Sequence, residues 1–284
     1  MRGGLPSGTS LLVSFARGLG VDAQEVDSLA PELLPPFMAQ LAAAPRHLGG
    51  VADLYRTAVR GVTFGLIDHM VLRTRAIDAH LDSALESGIE QVVILGAGLD
   101  ARAWRLDALK NATVFEVDHP STQQYKQKRV AHKTSPTDIR YVAVDFEKDR
   151  FSDGLERAGF RSAAPSAWIW EGVAMYLPRR AVNDALGQLT TLAAAGSELA
   201  MTYRVPGMLP YGAFGRATIP ALFAAAGEPL KDTLEPQELA STVAPEWDVA
   251  YDADARGWQE LTGSKANPSR SFLSERLAIV KRRA

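Results

Sequence analysis

The spacing of apolar positions divides the chain into a helical start and a remainder in which strands and helices alternate. Ile77, Leu81 and Leu85 recur every four residues, which puts them on one face of a helix. Gly88 follows as the residue best suited to a left-handed turn at the end of that helix. Upstream, Pro31, Pro35, Pro36 and Pro45 break the pattern into short helices. Residues 1–88 are therefore expected to form a helical N-terminal cap segment, and residues 89–284 the core.

Beyond Gly88 the period changes. Residues 91–95, Gln-Val-Val-Ile-Leu, form a short continuous apolar run that suits a strand buried on both faces of a parallel sheet. Residues 113–118, 139–145, 167–171 and 198–203 read as four further strands. Helical patterns separate them. After Pro178, expected as a first-turn proline, Val182, Leu186, Leu189 and Ala193 recur at helical spacing. Such alternation predicts right-handed crossovers and an α/β, Rossmann-like, doubly wound and mostly parallel sheet. Residues 247–251 and 277–281 supply two final strands, giving seven, with the last expected antiparallel. Between strands five and six, residues 205–234 are rich in Pro, Gly and aromatics, including Tyr211 and Phe214. This stretch reads as a substrate-facing insertion after strand five, with a helix at 219–226 and Phe223 within it.

Composition narrows the chemistry. There is no Cys among 284 residues, which excludes disulfides, thiolate metal sites and a thiol nucleophile. The net charge of −2 provides no basic field to attract nucleic acid or an anionic membrane. No apolar run approaches the roughly 18 residues needed to span a bilayer. Leu11-Leu12-Val13 is too short for a secretory signal. A cytoplasmic protein is expected, with a small-molecule substrate, neither nucleic acid nor membrane as partner, and an oligomeric state the sequence leaves open.

Leu95-Gly96-Ala97-Gly98-Leu99-Asp100-Ala101 lies between the first strand and a helix. Glycines there permit positive φ and close approach of a ligand to the backbone. Gly96, Gly98 and Ala101 fit the dinucleotide pattern, and Asp118 ends the second strand 20 residues after Gly98. A carboxylate at that place accepts hydrogen bonds from both ribose hydroxyls. These residues point to a nucleoside-containing ligand at the C-terminal edge of the sheet. Both NAD(P) and S-adenosyl-L-methionine fit the spacing.

The run from Gly96 to Leu106 resembles the glycine motif of the leucine carboxyl methyltransferase family, S-adenosylmethionine-dependent enzymes that include bacterial O-methyltransferases acting on polyketides. Phe115-Glu116-Val117-Asp118-His119-Pro120, Val144-Asp145-Phe146 and Glu171-Gly172-Val173-Ala174-Met175-Tyr176-Leu177 resemble its later motifs, in the same order. Leu72-Arg73-Thr74-Arg75-Ala76-Ile77-Asp78 resembles its arginine-bearing helix. Ile94 stands where the commonest methyltransferase motif has an acid, as is usual in this sub-family. The resemblance is loose outside residues 70–205.

The resemblance implies that Arg73 or Arg75 pairs with the methionine carboxylate and that Gly96, Ala97 and Gly98 line the methionine moiety. It also implies that Asp118, with adjoining His119, holds the ribose, and that Asp145 and Phe146 meet the adenine. Glu171 would lie near the ammonium group. Tyr176, Tyr203 and Arg204, at strand ends on the same edge, are candidate substrate contacts. The implied activity is methyl transfer to a carboxylate or hydroxyl of a small molecule such as a polyketide-type or other secondary metabolite. No residue is singled out as a base, and no metal is expected. Lys126, Lys128, Arg129 and Lys133, around His132, are expected on a solvated helix face.

Three other readings compete. An NAD(P)-dependent oxidoreductase could use the same loop, but a Tyr-x-x-x-Lys pair is missing, Arg180 standing four residues after Tyr176. A non-catalytic nucleoside-binding protein would be free to lose Arg73, Asp118 and Glu171. A nucleic-acid methyltransferase is disfavoured by the acidic balance and the lack of a basic stripe.

Overall fold

The computed structural model describes residues 6–22, 25–146, 148–206, 229–269 and 272–283. Seven strands form one sheet: β1 (Gln91–Leu95), β2 (Thr113–Asp118), β3 (Asp138–Ala143), β4 (Ala167–Trp170), β5 (Glu198–Arg204), β6 (Trp247–Ala253) and β7 (Glu275–Arg282). Their order is β3-β2-β1-β4-β5-β7-β6. The first five pair in parallel. β7 runs antiparallel to both β5 and β6, as the sequence predicts for the last strand.

Among the described residues, the helices of seven or more residues are α1 (Gly8–Leu19), α2 (Pro36–Ala43), α3 (Ala52–Val62), α4 (Leu66–Glu86), α5 (Pro120–Val130), α6 (Phe151–Arg157), α7 (Arg179–Leu192), α8 (Pro236–Val243) and α9 (Ala255–Thr262). Gly88 takes φ +96 just beyond α4, as expected. Pro178 stands one place earlier than expected, as the N-cap of α7. The expected helix at 219–226 and the aromatics Tyr211, Phe214 and Phe223 lie outside the described residues.

Alternation along each strand divides the core between two faces. Val92, Ile94, Val114, Ile169, Ala200, Leu277 and Ile279 pack with α1, α4 and α9. Val93, Leu95, Phe115, Val117, Trp168, Trp170, Met201 and Val280 pack with α6, α7 and α8. Continuous apolar strands follow from this two-sided burial. β3 ends two residues before the expected Asp145: the Val144 N–H makes the last bond to β2, at the Asp118 carbonyl (2.9 Å), and the Asp145 N–H turns away to the Asp149 carboxylate (2.9 Å). β4 likewise ends at Trp170, leaving Glu171 just past the strand.

Two expectations about charged residues change. Lys126 is 1% exposed rather than solvated, and its Nζ pairs with Glu116 on β2 at 2.6 Å. Burial pushes the Glu116 carboxyl up to about 7 although Lys126 pulls it down. β7 runs from Glu275 to Arg282, so charged residues extend the last strand beyond the expected 277–281 at both ends.

Helix α6 approaches β3 so closely that a Cβ on Gly154 would stand 2.5 Å from Val142 Cγ1. Gly154→Ala should therefore lower stability by about 1–3 kcal/mol in urea unfolding, despite alanine's better helix propensity. Adding Val142→Ala should recover part of the loss.

Candidate functional site

The C-terminal ends of β1, β2 and β4 open into a cavity of about 560 Å³, within the usual range for small-molecule sites of about 300–1,000 Å³. It lies where the strand order reverses, between β1 and β4, the place where open α/β sheets bind ligands.

One wall is the glycine loop. Gly96 and Gly98 take φ +67 and +51, and a Cβ on Gly96 would collide with the Val173 side chain. The Gly96 and Ala97 N–H groups donate to the Val117 carbonyl at 2.7 and 3.2 Å. The Asp118 carboxylate ties the next layer together by accepting from the Gly98 N–H and from the His119 N–H (2.5 Å). Burial raises the Asp118 carboxyl above its ordinary range, although these two N–H groups oppose the shift. His119 lines the cavity and caps α5, its Nδ1 accepting from the Ser121 N–H at 3.3 Å. Asp145 and Phe146 line the far side, where Lys148 Nζ meets Asp145 at 2.6 Å. Phe146 packs edge-on to Phe151, with centroids 6.1 Å apart.

Opposite the loop, Glu171 is gripped by three guanidinium groups. Arg17 Nη2 reaches both of its oxygens at 2.8 Å, Arg73 Nε lies at 2.9 Å and Arg102 Nη2 at 2.9 Å. Burial would raise the Glu171 carboxyl, but Arg17, Arg102 and Arg73 hold it well below the usual carboxylate range. Arg73 extends the chain of charges, since its Nη1 meets Glu275 at 2.9 Å. Glu275 in turn meets His69 Nε2 at 2.6 Å, with the imidazole between Trp258 and Phe272. Arg102 also pairs with Asp78 (2.7 Å) and with Asp100 of the glycine loop.

This geometry distinguishes the two candidate arginines. Arg73, 4% exposed, lines the cavity, whereas Arg75, on the same helix, is exposed and faces a separate groove with Asp82 and Arg105. Gly172, at φ +65, keeps the approach to Arg73 clear: a Cβ there would stand 3.4 Å from both Nη atoms. Tyr176 and Arg204 line the cavity. Tyr203 does not. It is 1% exposed on the α7 face of the sheet, and its hydroxyl donates to Asp252 at 2.6 Å. The side chain of Tyr203 alternates to the opposite face from that of neighbouring Thr202, so its place at a strand end does not bring it to the cavity.

Sequence reasoning missed Arg17, Arg102, Glu275 and His69. Arg102 carried a signal, since it stands inside the glycine motif two residues after Asp100. Arg17 and Glu275 carried none, being 154 and 202 residues away from the side chains they grip. Among the described residues no group of His, Cys, Asp and Glu is arranged to hold a metal ion, and no helix is long and apolar enough to cross a membrane.

The sheet and its cavity define a Rossmann-like methyltransferase fold. Solved structures share it over nearly the whole chain. A candidate methyltransferase of Thermobifida fusca matches with TM-score 0.64 and 17% identity, covering 100% of this chain and 97% of that one. A Streptomyces avermitilis protein of the duf574 family matches with TM-score 0.63 and 14% identity, covering 98% of each. The leucine carboxyl methyltransferase family model matches residues 27–190, more than half of the chain, and the chain belongs to that family. A candidate S-adenosyl-L-methionine-dependent methyltransferase of Mycobacterium marinum is 44% identical over 199 residues, 68% of this chain and 64% of that protein. Its Mycobacterium avium counterpart is 42% identical over 137 residues, 48% of this chain and 44% of that protein. The matched stretches thus span less than two thirds of these relatives' length.

Burial would raise the Glu275 carboxyl, but Arg73 and His69 bring it from the ordinary 4.5 down to about 2. A carboxyl depressed in the folded state contributes stability above its ordinary range and loses it as pH falls toward the folded value. Glu275→Gln should therefore destabilise the protein at pH 7 by about 3 kcal/mol, the scale of a broken buried pair. The gap should narrow between pH 4.5 and about 2. Urea unfolding of both proteins across pH tests this, and a gap independent of pH would contradict it.

Proposed function

We propose that the chain is an S-adenosyl-L-methionine-dependent O-methyltransferase acting on a small molecule that presents a carboxylate or a hydroxyl. The observation that carries this reading is the row Asp118, Gly96–Gly98, Glu171 and Arg73 along one sheet edge, in a cavity large enough for a nucleoside and an acceptor. Family membership and the names of the mycobacterial relatives support it.

The residues fit the cofactor end to end. Asp118 would accept the ribose hydroxyls, and Asp145 and Phe146 would flank the base. Arg73, with Nη2 open beside Gly172, would take the amino-acid carboxylate, and Glu171 the ammonium group. Gly96 and Gly98 leave the backbone open to the chain between them. The bound cofactor supplies a methyl group on an already activated sulfonium. The protein's own work is then placement and exclusion of water. Apolar Leu12, Leu66, Met70 and Phe272 line the same cavity and serve the second task.

Arg204 favours the carboxylate among the two acceptor classes. It lines the cavity partly buried, and its guanidinium makes no hydrogen bond or ion pair among the described residues. Burial lowers its pKa against the pull of Glu275 and Tyr176, the mark of a cation short of a close counter-charge. An acceptor carboxylate would supply it. A polyketide-type or other secondary metabolite bearing such a group is consistent with the apolar lining.

Calorimetric titration with S-adenosylmethionine, S-adenosylhomocysteine, NAD and NADP tests the reading, and binding of the two sulfur nucleosides alone is expected. Binding of NAD or NADP instead would overturn it. Asp118→Ala should weaken S-adenosylhomocysteine binding by about 1.5–3 kcal/mol. Ribose hydroxyls donate to the ionised carboxylate, so affinity should fall as pH drops through the raised Asp118 pKa, and Asp118→Asn should flatten that dependence. Arg204→Leu should leave cofactor affinity unchanged while slowing methylation of carboxylate acceptors by about tenfold or more.

A further inference from the structure

Glu171 accepts only guanidinium groups in the bonds described above, and they do not have equal freedom. Arg73 divides itself between Glu171 and Glu275. Arg102 is shared among Glu171, Asp78 and Asp100. Arg17 alone spans both Glu171 oxygens from one nitrogen, and so fixes the plane of the carboxylate. Its own orientation is set by Nε donating to Thr74 Oγ1 on α4 at 2.9 Å. The side chain is 6% exposed, and Nη1 stands 3.8 Å from Asp100 of the glycine loop.

Arg17 comes from outside the sheet. It lies on α1, whose residues Ser10, Val13 and Arg17 fall on one helical face and line the cavity. The same helix is seated on the glycine loop, since a Cβ on Gly98 would stand 2.8 Å from Ser10 Oγ.

We infer that Arg17 is a positioning residue for the amino-acid end of the cofactor site. Locked by Thr74, it holds Glu171 ionised and oriented to receive an ammonium group, and it makes α1 part of the binding site. This rests on the methyltransferase reading. Its specific consequence is that Arg17 matters for ligands that carry an amino-acid end and not for ligands that lack one. A purely structural role would affect both alike.

The test uses two probes on the full chain. S-adenosylhomocysteine carries the ammonium and carboxylate; 5′-methylthioadenosine keeps the nucleoside and thioether but lacks both. Arg17→Gln should weaken S-adenosylhomocysteine by about tenfold or more, the scale of lost hydrogen bonds to a charged group. It should leave 5′-methylthioadenosine within about twofold of the parent, because no bond to that part is removed. Thr74→Val keeps every charge and frees Arg17 to turn, so it should show the same selectivity with a smaller ratio. It carries the test if Arg17→Gln fails to fold. Equal weakening of both probes, or unchanged S-adenosylhomocysteine affinity in a folded variant, would overturn the inference. If the parent chain binds neither probe, the methyltransferase reading itself falls, an outcome visible before any variant is compared.

Discussion

The buried carboxylate of Glu171, surrounded by Arg17, Arg73 and Arg102, is the interaction on which the rest of the site depends. Each of these charges would lose several kcal/mol of hydration on burial, and mutual attraction repays that only where nearly every donor and acceptor is matched. The matching extends outward to Asp78, Asp100 and Glu275. It therefore joins α1, α4, the glycine loop, the end of β4 and the start of β7 in one electrostatic unit. Such a cluster is a poor way to gain stability, since well-packed apolar residues do as well. What it provides is a set of charged groups held in place before a ligand arrives.

The strands and crossovers were legible because two-sided burial leaves a local mark. β1 and β2 have the bounds expected from their apolar runs, and the antiparallel last strand followed from the short connections around it. The glycine loop and Asp118 were legible for a related reason: both are governed by backbone conformation within a few residues. Arg73 and Arg75 mark the limit. The sequence placed both on a helix, and only the rotation of α4 against the sheet makes Arg73 face the cavity and Arg75 the solvent. Arg17 and Glu275 leave no local mark at all, because their partners come from the opposite part of the chain. Lys126 and Tyr203 were misread for a converse reason. Lys126 finds a buried counter-charge in Glu116, and Tyr203 finds Asp252, and neither partner is adjacent in sequence.

The same arrangement bears on what the acceptor can be. A proton acceptor for an alcohol works best with a pKa near the working pH. Glu171 is held well below the carboxylate range and Glu275 at about 2, so both are weak bases. Asp118 is raised, but it is engaged by the Gly98 and His119 N–H groups. The acids proposed to bind the cofactor are thus ill suited to deprotonate an acceptor as well. An acceptor that arrives ionised needs no base, and under the proposed function Arg204, which lines the cavity, would receive it. On that reading the groups proposed for the cofactor and the group proposed for a carboxylate acceptor share one electrostatic origin: Arg17, Arg73 and Arg102 are ion-paired with Glu171, Glu275, Asp78 and Asp100, whereas the guanidinium of Arg204, opposite Glu275 in the β5–β7 register, makes no ion pair among the described residues.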